Sequence, residues 1–316
     1  MRLLSLTLVF GLALAAAPLD ACNLDPIKTQ GTLSLAVQRG LHLIGHTDDG
    51  KIIAVDLLMG KTFDLGKADG VRGWDADVAN GKALLFAGES LRVVSLAARK
   101  TLHEIPIGKE RVFAFGFAGD ESVFVHRGKS LAIIDIASGK RLQTIALGDT
   151  DDLRRFAAWQ KIGDRLFIAG PATTLCVIDL KARKLVDRFS VDARAGMGSI
   201  QVVGSKVFCL GSQYSWAFQL DHMVCLDMTT RKCTIIDLPN SIQRFGGARL
   251  AAGSGDSVYV VQGNHFTRVS VSGEHRGTFD VAADQHVVGV FLRHAVVAGK
   301  NDIRFVDIKE KPIVRK

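Results

Sequence analysis

Six short stretches of this 316-residue chain place a cation just ahead of an apolar run. They are Val71-Arg72-Gly73-Trp74, Glu110-Arg111-Val112-Phe113, Leu153-Arg154-Arg155-Phe156, Asp192-Ala193-Arg194, Gln243-Arg244-Phe245 and Gln285-His286-Val287. Guanidinium groups converging on one opening would take carboxylate or phosphate groups through paired N–H donors. The chain must then bring Arg72, Arg111, Arg155, Arg194, Arg244 and His286 together from far apart in sequence. Carboxylates stand within a few residues of five of them, at Asp69, Glu110, Asp152, Asp192 and Asp284. Local ion pairing therefore competes for the same side chains.

A second recognition element is the stretch GSQYSWAFQLDH (211–222), with Tyr214, Trp216, Phe218 and His222. Aromatics on a long loop suit binding, and Trp74 adds another beside Arg72. Signals for catalysis are sparse. The nine His are scattered, without HExxH or metal-ligand spacing, and no G-x-S-x-G elbow occurs. GSGDS (253–257) reads as an inter-strand turn, since no helix follows it to hold a phosphate. If the chain were a hydrolase or lyase of the lactonase kind, Asp75, His222 and His286 are the nearest acid and imidazoles. No cofactor and no metal site is expected.

The elements that must position these residues are visible as a repeated hairpin. An apolar residue, an Asp or Ser, another apolar residue and a polar turn recur at VDLLMGKTFDLG (55–66), VSLAARKTLHEIPIG (94–108), IDIASGKRLQTIALG (134–148), IDLKARKLVDRFSV (178–191), LDMTTRKCTIIDLP (226–239), VSVSGEHRGTFDV (269–281) and VDIKEKPIVR (306–315). The anchors Asp56, Ser95, Asp135, Asp179, Asp227, Ser270 and Asp307 follow one another at intervals of 39, 40, 44, 48, 43 and 37 residues. An Asp or Ser ending a strand accepts backbone N–H groups and starts the turn. Lys61, Lys100, Lys140, Lys184 and Lys232 stand five residues on, placed for weak cross-strand pairs with the anchors.

Two more strand-like runs precede each anchor, as GWDADVAN (73–80) and KALLFAG (82–88) do in the second repeat. Four short alternating strands in about 42 residues is the period of a β-propeller blade. From Cys22 the remaining 295 residues suffice for seven such blades. The expected fold is thus all-β: one seven-bladed propeller, four antiparallel strands per blade, over residues 22–316. LDPIKTQ (24–30) is left to pair with the last blade and clasp the ring. In this geometry the loops entering each first strand share one face with those joining second and third strands. The six cations would then ring the channel mouth.

The VD-x-x-x-GK hairpins resemble the YVTN-type and PQQ-like repeat propellers of bacterial envelope proteins, across essentially the whole chain after residue 21. That resemblance implies a fold and a compartment more than an activity. The GH…WD pairing of WD-repeat propellers is absent. So are the Trp-rich blade motifs, vicinal cysteines and calcium ligands of the quinone-dependent dehydrogenases, so a quinone is not implied.

Residues 1–21 agree with the resemblance. Arg2, an apolar run from Leu3 to Ala17 and small residues have the layout of an export signal. Leu19-Asp20-Ala21-Cys22 resembles a lipobox, with Asp20 departing from it. Either Cys22 is lipidated and becomes the mature N-terminus, or the signal is an ordinary one. The expected location is the periplasm or a lipid-anchored place in the bacterial envelope. Cys209, Cys225 and Cys233 lie close enough in sequence to form a cross-strand disulfide or to stay as buried thiols. The net charge of +8 favours anionic partners. Nucleic acid is not expected, because no basic strand face is interleaved with aromatics. The function expected is binding of an envelope protein partner or an anionic small ligand, with the membrane reached only through a lipid on Cys22.

Overall fold

Alternation along each strand sends successive side chains to opposite faces of a sheet, and here both faces are apolar. On the second strand of the second repeat, Ala83 and Leu85 join Ile44, Ile52 and Ala54 of the first repeat, while Leu84 joins Phe117, Val123 and Val125 of the third. Among the described residues seven such clusters form, one between each pair of neighbouring sheets. A sheet apolar on both faces needs a sheet on either side, and radial packing meets that need.

The structure, a computed structural model, describes residues 24–39, 41–77, 80–148, 158–169, 174–191, 199–211, 222–238, 249–252, 257–262, 265–270, 275–282, 285–291 and 294–308. Strand β1 is Ile27–Lys28. Blade 1 comprises β2 (Leu33–Arg39), β3 (His42–Thr47), β4 (Lys51–Asp56) and β5 (Lys61–Lys67), and blade 2 β6 (Val71–Asp77), β7 (Lys82–Ala87), β8 (Ser90–Ser95) and β9 (Lys100–Pro106). Blade 3 holds β10 (Ala114–Gly119), β11 (Ser122–Arg127), β12 (Ser130–Asp135) and β13 (Arg141–Ala146); blade 4 holds β14 (Ala158–Ile162), β15 (Arg165–Ala169), β16 (Thr174–Asp179) and β17 (Lys184–Ser190). Blade 5 follows with β18 (Ile200–Val203), β19 (Lys206–Gly211), β20 (His222–Asp227) and β21 (Lys232–Asp237). Blade 6 has β22 (Arg249–Ala252), β23 (Ser257–Gln262), β24 (His265–Ser270) and β25 (His275–Asp280), and blade 7 has β26 (His286–Phe291), β27 (His294–Ala298) and β28 (Asp302–Asp307).

Every blade is a four-stranded antiparallel sheet, and blades 1 to 6 are meanders of consecutive strands. The first strands of neighbouring blades touch one another, β2 with β6 and β26, β6 with β10, β14 with β18, and β18 with β22, so they form the inner wall. The fold is the seven-bladed propeller expected.

The seventh blade takes the first half of VDIKEKPIVR into β28, while residues 309–315 of that hairpin lie outside the described residues. Its outer strand is β1, which pairs antiparallel with β28 through Ile27↔Ile303 and Lys28↔Asp302. Strand β1 therefore closes the ring. Ile27 is buried in the cluster shared by blades 7 and 1.

The anchors act as turn starters. Asp56 Oδ1 accepts the N–H groups of Leu58 and Met59, both at 2.9 Å. Asp135 takes Ser138 N–H at 2.7 Å, Asp179 takes Ala182 N–H at 2.7 Å, and Asp227 takes Thr229 N–H at 2.8 Å. Asp56↔Lys61, Asp179↔Lys184 and Asp227↔Lys232 are indeed opposite one another. Among the described residues, however, no anchor forms an ion pair with its lysine within 4 Å. The carboxylates fold back onto the turns and the lysines point into solvent.

Candidate functional site

The loop from β9 to β10 (residues 107–113) and the two-residue turn at Gly88-Glu89 lie at the same end of the sheets as the start of β6. Between blades 2 and 3 they leave a cleft of about 860 Å³, in the range of small-molecule sites. Its floor is aromatic: Trp74, Phe86, Phe113, Phe115 and Trp159. Arg72, Lys109 and Arg111 stand on its rim, with Glu89 and Glu110.

Local packing makes this floor. Phe86 of β7 and Phe115 of β10 meet edge to face at 5.7 Å, and Trp159 of β14 meets Phe124 edge to face at 5.1 Å. Gly73 is what lets Phe115 in, because a Cβ there would lie 2.9 Å from the ring. Trp74 stacks on His46 of blade 1 at 6.5 Å, and its Nε1 is buried with no hydrogen-bond partner among the described residues. Arg111 lies over Phe113, its Cζ 5.1 Å from the ring centroid, a cation–π contact. Phe113 in turn packs on buried His126, 5.8 Å between ring centres. His126 is held below its ordinary titration range by burial, and its Nε2 donates to the Gly128 carbonyl at 2.8 Å.

The acids at the rim have other cations. Glu110 Oε2 accepts from Arg127 Nη1 at 2.8 Å, and Arg127 also donates to the Ile107 carbonyl. Glu89 lies 3.9 Å from Lys109, an exposed pair worth little. Arg72 is exposed and forms no ion pair with Asp69 or any other described residue. Local pairing does not account for Arg72, and Glu110 is taken by Arg127.

Of the ring expected from sequence, the structure brings Arg72, Trp74 and Arg111 to this cleft. Arg155, Arg194, Arg244, Tyr214, Trp216 and Cys22 lie outside the described residues. His286 is half-buried, with Nε2 2.6 Å from the Leu33 carbonyl, so it ties blade 7 to blade 1. His222 is corrected: it is not on an exposed loop but opens β20, buried opposite Gly211, whose missing Cβ leaves room for the imidazole. Asp75 is buried on β6 and accepts a backbone N–H from blade 3. Asp75, His222 and His286 thus belong to blades 2, 5 and 7. Among the described residues no group of three His, Cys, Asp or Glu could hold a metal.

Sequence reasoning missed Phe86, Phe115 and Trp159. Phe113 and Phe115 are two apart, hence on one face, but the pairing of that face with Phe86 and Trp159 joins three blades. The cysteines also resolve. Cys225 faces blade 6, whereas Cys209 and Cys233 face blade 4 on strands separated by β20. Strands two apart are about 9.5 Å from each other, beyond disulfide reach. All four described cysteines are free.

No family model matches the chain, and no curated protein proves similar to it.

Proposed function

We propose that this chain is an exported propeller of the bacterial envelope, of the YVTN-type or PQQ-like kind, acting as a binding module. Its ligand carries a carboxylate or phosphate on a flat apolar body, as a small molecule or as part of a partner protein. The cleft between blades 2 and 3 carries this reading, because it sets Arg72 and Arg111 over five aromatic side chains. Guanidinium groups would take the anion and the rings its apolar part. Arg155, Arg194 and Arg244 extend the cationic rim around the channel mouth in this reading, with Tyr214 and Trp216 as further contacts. Export rests on residues 1–21, with Cys22 as the lipid attachment point if the lipobox is used.

The test compares the wild type with Arg72→Ala/Arg111→Ala. Anilinonaphthalene sulfonate, an aromatic sulfonate, serves as the probe for small-molecule binding, and a pull-down from an envelope fraction serves for protein partners. The double variant should lose at least one of these with its Tm unchanged. Both retained in full, or a lower Tm with binding intact, would show the arginines to be structural.

A further inference from the structure

The face opposite the cleft carries a different chemistry. Its turns between third and outer strands present Arg99 and Lys100 on blade 2, Lys140 and Arg141 on blade 3, and Arg183 and Lys184 on blade 4, all exposed. None of the six forms an ion pair within 4 Å among the described residues. Over the turns 80–82, 95–100, 120–122, 135–141, 163–165 and 179–184 of this face, nine Lys and Arg stand against five carboxylates. Three of those carboxylates are occupied: Asp135 and Asp179 within their turns, and Asp120 with the Asn80 amide at 2.8 Å.

The backbone shows that these cations are kept at some cost. The fifth residue of the turn is left-handed in blades 1 to 5. Blades 1 and 3 place Gly60 (φ 63°) and Gly139 (φ 66°) there, but blades 2, 4 and 5 place Arg99 (φ 52°), Arg183 (φ 53°) and Arg231 (φ 58°). A side chain disfavours this conformation and glycine does not. Arg231 has a structural reason, since it pairs with Asp187 at 2.7 Å and covers the Phe189 ring at 4.8 Å. Arg99 and Arg183 have no such contact among the described residues.

Two apolar side chains share this face. Leu58 and Met59, at the tip of the blade 1 turn, are 46% and 60% exposed. The chain also enters the ring here. In β1, Ile27 lies opposite Ile303 and Lys28 opposite Asp302, so Leu24 falls toward the Asp307 end of β28. The segment ahead of β1 thus joins the ring on the cationic side.

We propose that this face docks on an anionic phospholipid surface, with its cations over the headgroups and Leu58-Met59 reaching the acyl boundary. Basic side chains beside a few apolar ones is the composition of interfacial binders. The cleft then points away from the bilayer, open to ligand. This holds whether or not Cys22 carries a lipid, and it is independent of what the cleft binds.

The test is co-sedimentation of the full chain with phosphatidylcholine vesicles, with and without phosphatidylglycerol. Wild type and variants keep the same N-terminal segment, so its contribution cancels. The wild type should prefer the anionic vesicles, and less so as salt is raised. Arg99→Gly/Arg183→Gly should weaken that preference by roughly fivefold per charge removed, with Tm equal or higher because glycine relaxes both turns. Met59→Trp should show a blue-shifted emission on anionic vesicles only. Equal partitioning of the wild type onto neutral and anionic vesicles overturns the proposal. So does an Arg99→Gly/Arg183→Gly variant that binds as well as wild type, or retention on nucleic acid without any on vesicles.

Discussion

Asp75 Oδ2 accepts the backbone N–H of Phe117 at 3.2 Å, joining the inner strand of blade 2 to that of blade 3. The device recurs. Gln160 Oε1 accepts Val202 N–H at 2.6 Å between blades 4 and 5, and Gln38 both accepts from Val290 N and donates to its carbonyl, each at 2.7 Å, between blades 1 and 7. Inner strands converge on the channel, where apolar packing between blades ends and backbone groups still need partners. Polar side chains from the adjacent blade supply them. In two of the three struts the residue before the tied N–H is glycine, Gly116 or Gly289, which clears a path for the incoming side chain.

Gly116→Ala should therefore destabilise the ring. A Cβ at that position would lie 2.6 Å from Asp75 Oδ2, 2.8 Å from the Phe124 ring and 2.9 Å from the Trp159 ring. Overpacking of this kind costs about 1–3 kcal/mol. Asp75→Ala strands the Phe117 N–H, at about 1–3 kcal/mol. With Asp75 already shortened, Gly116→Ala should cost less, and a double-mutant cycle in urea measures the difference. Additive costs would mean that the two residues are not coupled.

Acid should weaken the fold through His126. Its Nε2–H is used on Gly128, and Nδ1 is buried without a partner among the described residues, so protonation would put a second N–H where none of them offers an acceptor. Burial lowers its folded pKa below the unfolded value of about 6.5, so the unfolded chain binds the proton more readily. The stability is complete above about pH 6.5 and falls as pH drops below it. His126→Gln, which keeps a donor and does not titrate, should show a shallower loss between neutral and mildly acidic pH. Parallel pH–stability curves for the two proteins would remove His126 from the account.

Reduction should leave the Tm unchanged, since no described pair of cysteines is within bridging reach. Burial pushes the Cys176 thiol up to about 11 and raises Cys209 and Cys225 as well. Thiolate is the reactive form, so Ellman's reagent should leave these three untouched in the native chain and reach half-buried Cys233. Release of all the thiols before unfolding, or a Tm lowered by dithiothreitol, would contradict the assignment.

Much of this architecture was legible from residue order. The anchor residues Asp56 to Asp307 mark the end of a third strand in all seven blades, because an Asp or Ser turn start is a local event of a few residues. The clasp by LDPIKTQ was legible too, from a strand left over at one end. Less could be read where partners are remote. The lysines five residues after the anchors look like ion-pair partners in sequence, yet the carboxylates prefer turn N–H groups closer at hand. His222, near the end of an aromatic stretch, looks like a loop residue until its register opposite Gly211 is known.

The sequence by itself determined the repeat, the strand count and the cations of both faces, because period, alternation and turn chemistry act within one blade. Only the tertiary structure decided which of those cations share a surface with an aromatic floor. Arg72, Phe86, Phe115 and Trp159 come from three blades, and Gly73 matters only through a ring that arrives from the next sheet. Packing between blades is non-local, with no fixed spacing in the chain, so the cleft could not be read from the repeat that builds it.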